Sequence, residues 1–138
     1  MATSPYNLVK VVLNYGVSAI DPNKIYMGIP NYAYDWALPF IRNETVAENI
    51  GNVEAVERAR DFGAVILYDE TSRSPFYNYS SLDGVPHIVW FDDGRSMNEK
   101  LRLIPEFKLK GGAYWQIMKF FPQNWLVVNS IFNIIKKV

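Results

Sequence analysis

The chain has 138 residues, enough for one domain with a sizeable core. Lysine plus arginine and aspartate plus glutamate balance at 14 each, so charge gives no reason to expect a nucleic acid or an anionic membrane as partner. The absence of cysteine excludes disulfides and thiolate catalysis, and a single histidine argues against a histidine metal site or a Ser-His-Asp triad. We therefore expect no cofactor and no metal. No apolar run is long enough to span a membrane, and the N-terminus lacks a signal-peptide pattern.

The first quarter of the sequence reads as one helix and one strand. Ser4 fits a helix N-cap followed by proline, and apolar residues at helical spacing predict a helix over residues 5–15. A turn at 21–23 follows. Residues 24–29 are apolar on both faces, as in a parallel strand buried on both sides.

An aromatic and polar cluster follows this strand directly. Tyr32, Tyr34, Asp35 and Trp36 occur within five residues, after Pro30. A strand that ends in such a cluster is typical of the mouth of an α/β-barrel site, where aromatic faces stack on sugar rings. Spacing alone leaves the alternative open that the aromatic residues form the core of a β-rich domain.

The middle of the chain predicts a small α+β unit, with one helix on an antiparallel sheet. Thr45 and Glu48 fit a capping box, which predicts a helix from there to about Asp61, closed by Gly63. Strands are predicted at 64–68, 76–79 and 87–91, with a loop at 72–75 and a hairpin turn at 81–84.

The last third returns to α/β alternation. A second capping box beginning at Ser96 predicts a helix to about Lys108, ended by the glycines at 111–112. Residues 113–117 are predicted as a strand. The apolar spacing of Trp125, Val128, Phe132 and Ile135 predicts that the chain ends in a helix. This alternation implies a parallel sheet with right-handed crossovers, although two strands alone leave open edges.

Several stretches closely resemble the C-terminal part of family 18 glycoside hydrolases, and most of all the bacterial spore-cortex and cell-wall N-acetylglucosaminidases. The stretches are GIPNYAYDW at 28–36, YDE at 68–70, HIVWFDDGRS at 87–96 and GGAYW at 111–115. The resemblance implies an α/β fold: the C-terminal segment of a (β/α)8 TIM barrel, with strands 7 and 8 and their flanking helices, interrupted by an α+β insertion domain. On this reading residues 1–30 and 93–138 are the barrel segment and 31–92 the chitinase-type insertion domain.

The family's chemistry is retaining and substrate-assisted. The acetamido oxygen of the sugar is the nucleophile, and a protein carboxylic acid protonates the leaving oxygen. In the family this acid ends an Asp-x-x-Asp-x-Asp-x-Glu motif, which occurs nowhere in this sequence. The family's sixth-strand tyrosine, which helps to hold the acetamido group, would lie upstream of Met1. We therefore predict no catalytic residue here, and expect the chain alone to be an inactive C-terminal part of a hydrolase.

The resemblance implies that several residues of this chain contact the substrate. Trp115 matches the strand-eight tryptophan beneath the sugar at the cleavage subsite, and Tyr32 matches a tyrosine that lines the same subsite. Tyr34 stands where many chitinases have arginine, which leaves its role open. The predicted substrate-binding residues are Trp115, Tyr32, Tyr34, Trp36, Asp35 and Glu70. For Glu70 and Asp69 a solvated turn is an equal alternative, and His87 and the pair Asp92-Asp93 are interpreted as structural.

Three functions remain open on the sequence. The first is the C-terminal part of a hydrolase acting on N-acetylglucosamine-containing glycans, such as chitin-like polymers or peptidoglycan, outside the cell or on the spore. The second is a stand-alone carbohydrate-binding module, and the third is an interaction module with buried aromatic residues. The expected partners are a glycan and a second copy of the chain, because the barrel strands expose apolar edges.

Overall fold

The computed structural model of the protein describes residues 1–135 and contains two sheets. No helix in this part of the chain is both long enough and apolar enough to cross a membrane. The elements, in chain order, are α1 Tyr6–Ala19, β1 Tyr26–Pro30, β2 Ala33–Ala37, β3 Glu48–Ile50, α2 Asn52–Asp61, β4 Leu67–Asp69, β5 Ser74–Ser80, β6 Pro86–Trp90, α3 Gly94–Leu101, α4 Leu103–Glu106, β7 Gly111–Trp115 and α5 Pro122–Ile131.

The first sheet is a parallel pair of β1 and β7, as predicted. Its register joins Tyr26 to Gly111 at one end and Pro30 to Trp115 at the other. Helices α1, α3, α4 and α5 supply most of the apolar side chains that pack with it. The buried core of this half consists of Leu13, Met27, Ile29, Met97, Leu101, Leu103, Ile104, Leu109 and Phe121.

The second sheet is antiparallel, with the strand order β3-β2-β6-β5-β4. Helix α2 packs on one of its faces through Ala55 and Ala59, because alanine lets a helix approach a sheet closely. The buried core on that face consists of Ala33, Ile50, Ala55, Ala59, Tyr77, Val89 and Phe91. Side chains alternate between the two faces along each strand. The other face therefore carries Tyr34 and Trp36 of β2 together with Trp90 and Ile88, which lie opposite them on β6.

The aromatic cluster after β1 is itself a strand, β2, which the sequence analysis did not predict. Prolines flank the strand at Pro30 and Pro39, and because proline is typical of turns the segment between them did not look like a strand in the sequence. Its pattern is nevertheless a strict alternation: Ala33, Asp35 and Ala37 face α2, and Tyr34 and Trp36 face away.

The predicted start of the middle helix is wrong. Thr45 is not an N-cap, because its Oγ1 accepts a hydrogen bond from Ile41 N at 2.8 Å and closes a turn. Residues 48–50 pair with β2 as β3, and α2 begins only at Asn52. Glu54 takes the capping role, because its carboxylate accepts from the N–H of Gly51 at 3.3 Å. The end of the helix is confirmed: Gly63 has φ +62°, and the next N–H bonds back to Ala59 O.

The capping box predicted at Ser96 is displaced by three residues. Asp93 is the N-cap of α3, and its Oδ1 accepts from the N–H groups of Arg95 and Ser96 at 2.9 and 3.0 Å. Ser96 completes the box by accepting from Asp93 N at 2.9 Å. The structural interpretation of Asp93 is therefore supported, and α3 begins about one turn earlier than the sequence predicted.

Three further boundaries differ from the prediction. The glycines at 111–112 belong to β7 and do not end a helix; the turn at Lys108, with φ +54°, does so. The predicted loop at 72–75 is already strand from Ser74 onward. Helix α5 ends at Ile131, so Ile135 lies beyond it, and the predicted helical end at 136–138 lies outside the described residues.

A buried ion pair lies where the two halves meet. Lys100 Nζ of α3 lies 2.6 Å from Asp92 Oδ1, just past β6, and the two side chains are 4% and 1% exposed. Lys100 also donates to Ser4 Oγ at 2.8 Å, next to the start of α1. The N–H of Asp92 donates to Asn52 Oδ1 at 2.9 Å, at the start of α2. These bonds connect the segment after β6 to α3, and through Ser4 and Asn52 to the beginnings of α1 and α2.

We predict that Lys100→Met destabilises the chain by about 3–5 kcal/mol, because it leaves the Asp92 carboxylate buried without its partner. The measurement is urea unfolding followed by circular dichroism. Lys10→Met is the control, since it removes the exposed pair with Glu106 at 2.8 Å and should cost less than about 1 kcal/mol. Equal losses in the two variants would contradict a structural role for the buried pair.

A second prediction concerns the close approach of β7 to the core. A Cβ on Gly112 would lie 2.6 Å from Ile29 Cδ1 and 3.1 Å from Ile104 Cδ1, and both isoleucines are buried. Gly112→Ala should therefore lower the free energy of unfolding by about 1–3 kcal/mol. Gly28→Ala, on the paired strand with nothing within 4 Å of its Cβ, should be close to neutral in the same unfolding experiment.

Candidate functional site

The carboxyl end of the parallel pair carries an exposed tryptophan. Trp115 is the last residue of β7 and is 74% exposed. Its backbone lies opposite Pro30, and its carbonyl accepts from the N–H of Asn31 at 2.9 Å. The indole therefore lies at the point where the chain leaves β1 and enters β2.

From this point a row of four aromatic rings follows β2. Tyr32 and Tyr34 have ring centroids 5.3 Å apart, Tyr34 and Trp36 5.7 Å, and Trp36 and Phe40 5.5 Å. We call Tyr32, Tyr34, Trp36 and Phe40 the aromatic row. Burial is the main cause that raises the pKa of the Tyr32 phenol, with a smaller contribution from the neighbouring Tyr34.

The outer face of the antiparallel sheet continues the aromatic row sideways. Trp90 on β6 lies opposite Tyr34 and stacks on Phe76 of β5, with centroids 4.6 Å apart. At the far end of the row an apolar cavity of about 370 Å³ is lined by Met1, Trp36, Leu38, Phe40 and Ile88. This face is thus largely apolar, with the exposed Asn78 opposite Ile88 as a polar residue, and α2 does not cover it.

Asp35 lies on the opposite face of β2, which corrects its predicted role in substrate contact. It is 2% exposed and already holds three partners. Arg58 Nη1 donates to Oδ2 at 2.5 Å, Tyr79 donates its O–H to Oδ2 at 2.6 Å, and His87 Nδ1 lies 2.7 Å from Oδ1. The physical reason is the period of two along a strand, which turns Asp35 away from Tyr34 and Trp36. The structural interpretation of His87 is confirmed by this contact.

The charges of this cluster shift its ionisable groups. A hydrogen bond from Arg58 lowers the pKa of the Glu48 carboxyl, and the same bond is the main cause that raises the pKa of the Arg58 guanidinium. Burial, followed by the hydrogen bond to Asp35, raises the pKa of Tyr79 to about 12. Arg58 therefore remains charged among the carboxylates of Asp35, Glu48 and Glu54. Its bonds to Asp35 and Glu48 connect α2 to β2 and β3.

Glu70 lies apart from the aromatic row. It follows β4, the far edge strand, with β6 and β5 between it and β2. There it is exposed and borders a polar depression next to α3, lined by Tyr68, Glu70, Arg73, Arg95, Asn98 and Glu99. Of the six predicted residues, the structure therefore brings together Trp115, Tyr32, Tyr34 and Trp36. Among residues 1–135, no group of three or more acidic or histidine side chains could hold a metal ion.

The family model for glycosyl hydrolases family 18 matches residues 4–119. The chain belongs to this family. It is 44% identical over 137 residues to the cortical fragment-lytic enzyme of Bacillus cereus. The aligned region covers 99% of this chain and 32% of that enzyme. The crystal structure of the spore cortex-lytic enzyme SleL of Bacillus megaterium superposes with a TM-score of 0.94 at 43% identity, over 100% of this chain and 32% of the other.

A structure with lower sequence identity shares the fold as well. A chitinase from Chromobacterium violaceum superposes with a TM-score of 0.85 at 25% identity, over 94% of this chain and 39% of the other. The chain thus spans about a third of the length of the relatives it matches. The resemblance inferred from the sequence motifs is confirmed, both to the family and to its spore-cortex branch.

Sequence reasoning missed two parts of the apolar face of this family 18 chain. Phe40 ends the aromatic row, and Trp90 and Phe76 widen it, although none of the three was predicted as a site residue. The alternation of large and small residues along β2 was a usable signal for the row itself. Trp90 and Phe76 lie beside the aromatic row because of the strand order, and residue spacing within one segment does not reveal strand order.

We predict that the bond between Glu48 and Arg58 stabilises the chain only while Glu48 is ionised. Because the pKa of Glu48 is lowered in the folded state from an ordinary 4.5, its contribution is complete above about pH 4.5 and is lost as the pH falls through the lowered value. The difference in free energy of unfolding between the wild type and Glu48→Gln should shrink over this range.

The measurement is urea unfolding at a series of pH values between neutral and strongly acid. Glu44→Gln is the matched control, since this exposed glutamate in the same segment forms no hydrogen bond with Arg58. A Glu48→Gln difference that stays constant or grows as the pH falls would contradict the assignment.

Proposed function

We propose that the chain is the substrate-contacting C-terminal part of a retaining, substrate-assisted glycoside hydrolase that acts on N-acetylglucosamine-containing glycans such as peptidoglycan of the spore cortex. It contributes the floor and one wall of the sugar cleft. The catalytic acid then belongs to the part of its relatives' length that this chain does not span, because the acid motif of the family is absent from the sequence.

One observation carries the proposal. The exposed indole of Trp115 and the first ring of the aromatic row flank the carboxyl end of the same parallel pair, joined by the bond from Asn31 N to Trp115 O. In (β/α)8 barrels this end of the strands builds the active site. An indole face offers an apolar platform for the axial hydrogens of a pyranose, and tyrosine hydroxyls can bond to the sugar hydroxyls.

The proposed contacts are Trp115, Tyr32, Tyr34 and Trp36. Trp115 supplies the platform at the cleaved sugar, and the aromatic row leads away from it along β2. Asp35 and Glu70 are left out: the first is enclosed by its own partners, and the second lies at the far edge of the sheet.

The open edges of the parallel pair support the proposed barrel segment. An apolar groove of about 420 Å³ lies beside β1, lined in part by Leu8 and Val12 of α1. A second one of about 380 Å³ lies beside β7, lined in part by Tyr114 and Trp125. We propose that the remaining strands and helices of a barrel cover both edges; pairing between copies of the chain is the alternative.

A stand-alone carbohydrate-binding module is the second candidate function. It is favoured by the same exposed platform together with the absence of the acid motif. The two candidates differ in one property: only the first requires that the chain complete a catalytic barrel.

We predict that chitin oligosaccharides bind to the chain and change its tryptophan fluorescence, and that Trp115→Ala weakens this binding at least about tenfold, which corresponds to ~1.4 kcal/mol. Because Trp115 is exposed, the variant should keep the thermal stability of the wild type. Trp125→Phe is the matched control; Trp125 packs on Tyr114 at 5.3 Å, away from the platform, and its loss should not change the affinity. Equal affinity of Trp115→Ala and wild type would contradict the proposed platform.

A chimera separates the two candidate functions. This chain would replace the matching 32% of the Bacillus cereus relative, and lysis of cortical fragments would be measured. Lysis by the chimera, lost with Trp115→Ala, supports the hydrolase. A folded chimera that binds oligosaccharide without lysis would contradict it and favour the binding module.

A further inference from the structure

We propose that Asn31 is a positioning residue that fixes the Trp115 platform relative to the aromatic row. The inference rests on the proposed function, because it concerns the same sugar site. It assigns a role to a residue that contacts neither ring face, and it explains how two aromatic elements from different sheets keep one geometry.

Asn31 bonds to three carbonyls of the segment that carries Trp115. Its N–H donates to Trp115 O at 2.9 Å. Its side-chain Nδ2 donates to Gln116 O at 3.0 Å and to Lys119 O at 2.6 Å. Asn31 is 3% exposed, so water has little access to this position. If the amide were removed, the carbonyls of Gln116 and Lys119 would lose a donor that water could not readily replace. The residue after Asn31 is Tyr32, the first ring of the aromatic row.

A second connection closes a ring between the same elements. Lys119 Nζ donates to Asn49 O at 2.8 Å and to the side chain of Asn49. Asn49 on β3 lies opposite Tyr34 in the register with β2. The segment after β7 is therefore tied to the aromatic row twice, at Asn31 beside Tyr32 and at Asn49 beside Tyr34.

Hydrophobic burial anchors this segment only at its far end. Residues 116–120 contain neither helix nor strand, the side chains of Ile117, Met118 and Phe120 are exposed, and the next residue, Phe121, is buried in the core. Between Trp115 and Phe121, hydrogen bonds therefore define the path of the chain. The side-chain bonds of Asn31 are partly buried and the bond of Lys119 is exposed, so Asn31 should contribute the larger share.

Asparagine suits this position because it offers donors without charge. Aspartate has the same shape but, when ionised, only acceptor oxygens, which would face the carbonyls of Gln116 and Lys119. The Asn31→Asp variant thus reverses the interaction while preserving the volume. A role in packing alone would tolerate this change better than Asn31→Ala.

The test uses chain labelled with 5-fluorotryptophan, whose 4 tryptophans give separate fluorine NMR signals. In Asn31→Asp without ligand, the Trp115 signal, assigned from the spectrum of Trp115→Phe, should shift or broaden while those of Trp36, Trp90 and Trp125 stay in place. Binding of chitin oligosaccharide should weaken about tenfold. An unchanged Trp115 signal overturns the inference, whether or not the wild type binds sugar.

Two further variants keep the test decisive. Asn52→Ala removes an equally buried asparagine that bonds to Asp92 N, and it should lower stability without moving the Trp115 signal. Lys119→Met breaks the exposed connection and should move the Trp115 signal in the same sense, by less. If Asn31→Asp shifts all four signals together, the variant has disturbed the whole fold. If Lys119→Met also leaves the Trp115 signal unchanged, the role of Asn31 is structural and the inference fails. Failure of the wild type to bind any oligosaccharide refutes the proposed function, not the positioning of Trp115.

Discussion

The buried pair of Lys100 and Asp92 is the interaction on which the two halves of the molecule depend. The parallel half and the antiparallel half have separate apolar cores, and hydrophobic burial alone does not dictate how the two are arranged. The ion pair lies between them and reaches the beginnings of α1 and α2 through Ser4 and Asn52. Loss of either partner would leave a buried charge uncompensated, so the pair favours the arrangement of the two sheets in which both partners meet.

Strand β2 carries a cluster of polar contacts on one face and the aromatic row on the other. Its inner face is committed to stability, because Asp35 gathers the charges of Arg58 and the polar groups of Tyr79 and His87. Its outer face is left free for the aromatic row. The two tasks are separable since alternate side chains of a strand point in opposite directions. Residues adjacent in sequence, such as Tyr34 and Asp35, therefore have unrelated roles.

Membership in glycosyl hydrolase family 18 and this geometry support the same proposal from independent directions. The family model spans residues 4–119, which include both the platform at Trp115 and the aromatic row. The geometry adds how these parts are held: Asn31 and Lys119 connect the segment after β7 to β2 and β3. The proposed sugar site is thus assembled between two sheets, and its shape depends on polar contacts as much as on the rings themselves.

The sequence by itself determined the family, the parallel pairing of β1 with β7, most helices and the tryptophan at the strand end, because these follow from local periodicity and from contiguous motifs. It misplaced the beginnings of α2 and α3, because Thr45 and Ser96 resemble N-caps whereas the N-cap positions are Gly51 and Asp93. Only the tertiary structure decided the face to which Asp35 belongs, the distance of Glu70 from the aromatic row, and the partners of Asn31. The alternation along β2 separates Asp35 from Tyr34 and Trp36, but which face packs on α2, where Glu70 lies and what Asn31 bonds to depend on strand order and on contacts between residues far apart in the chain.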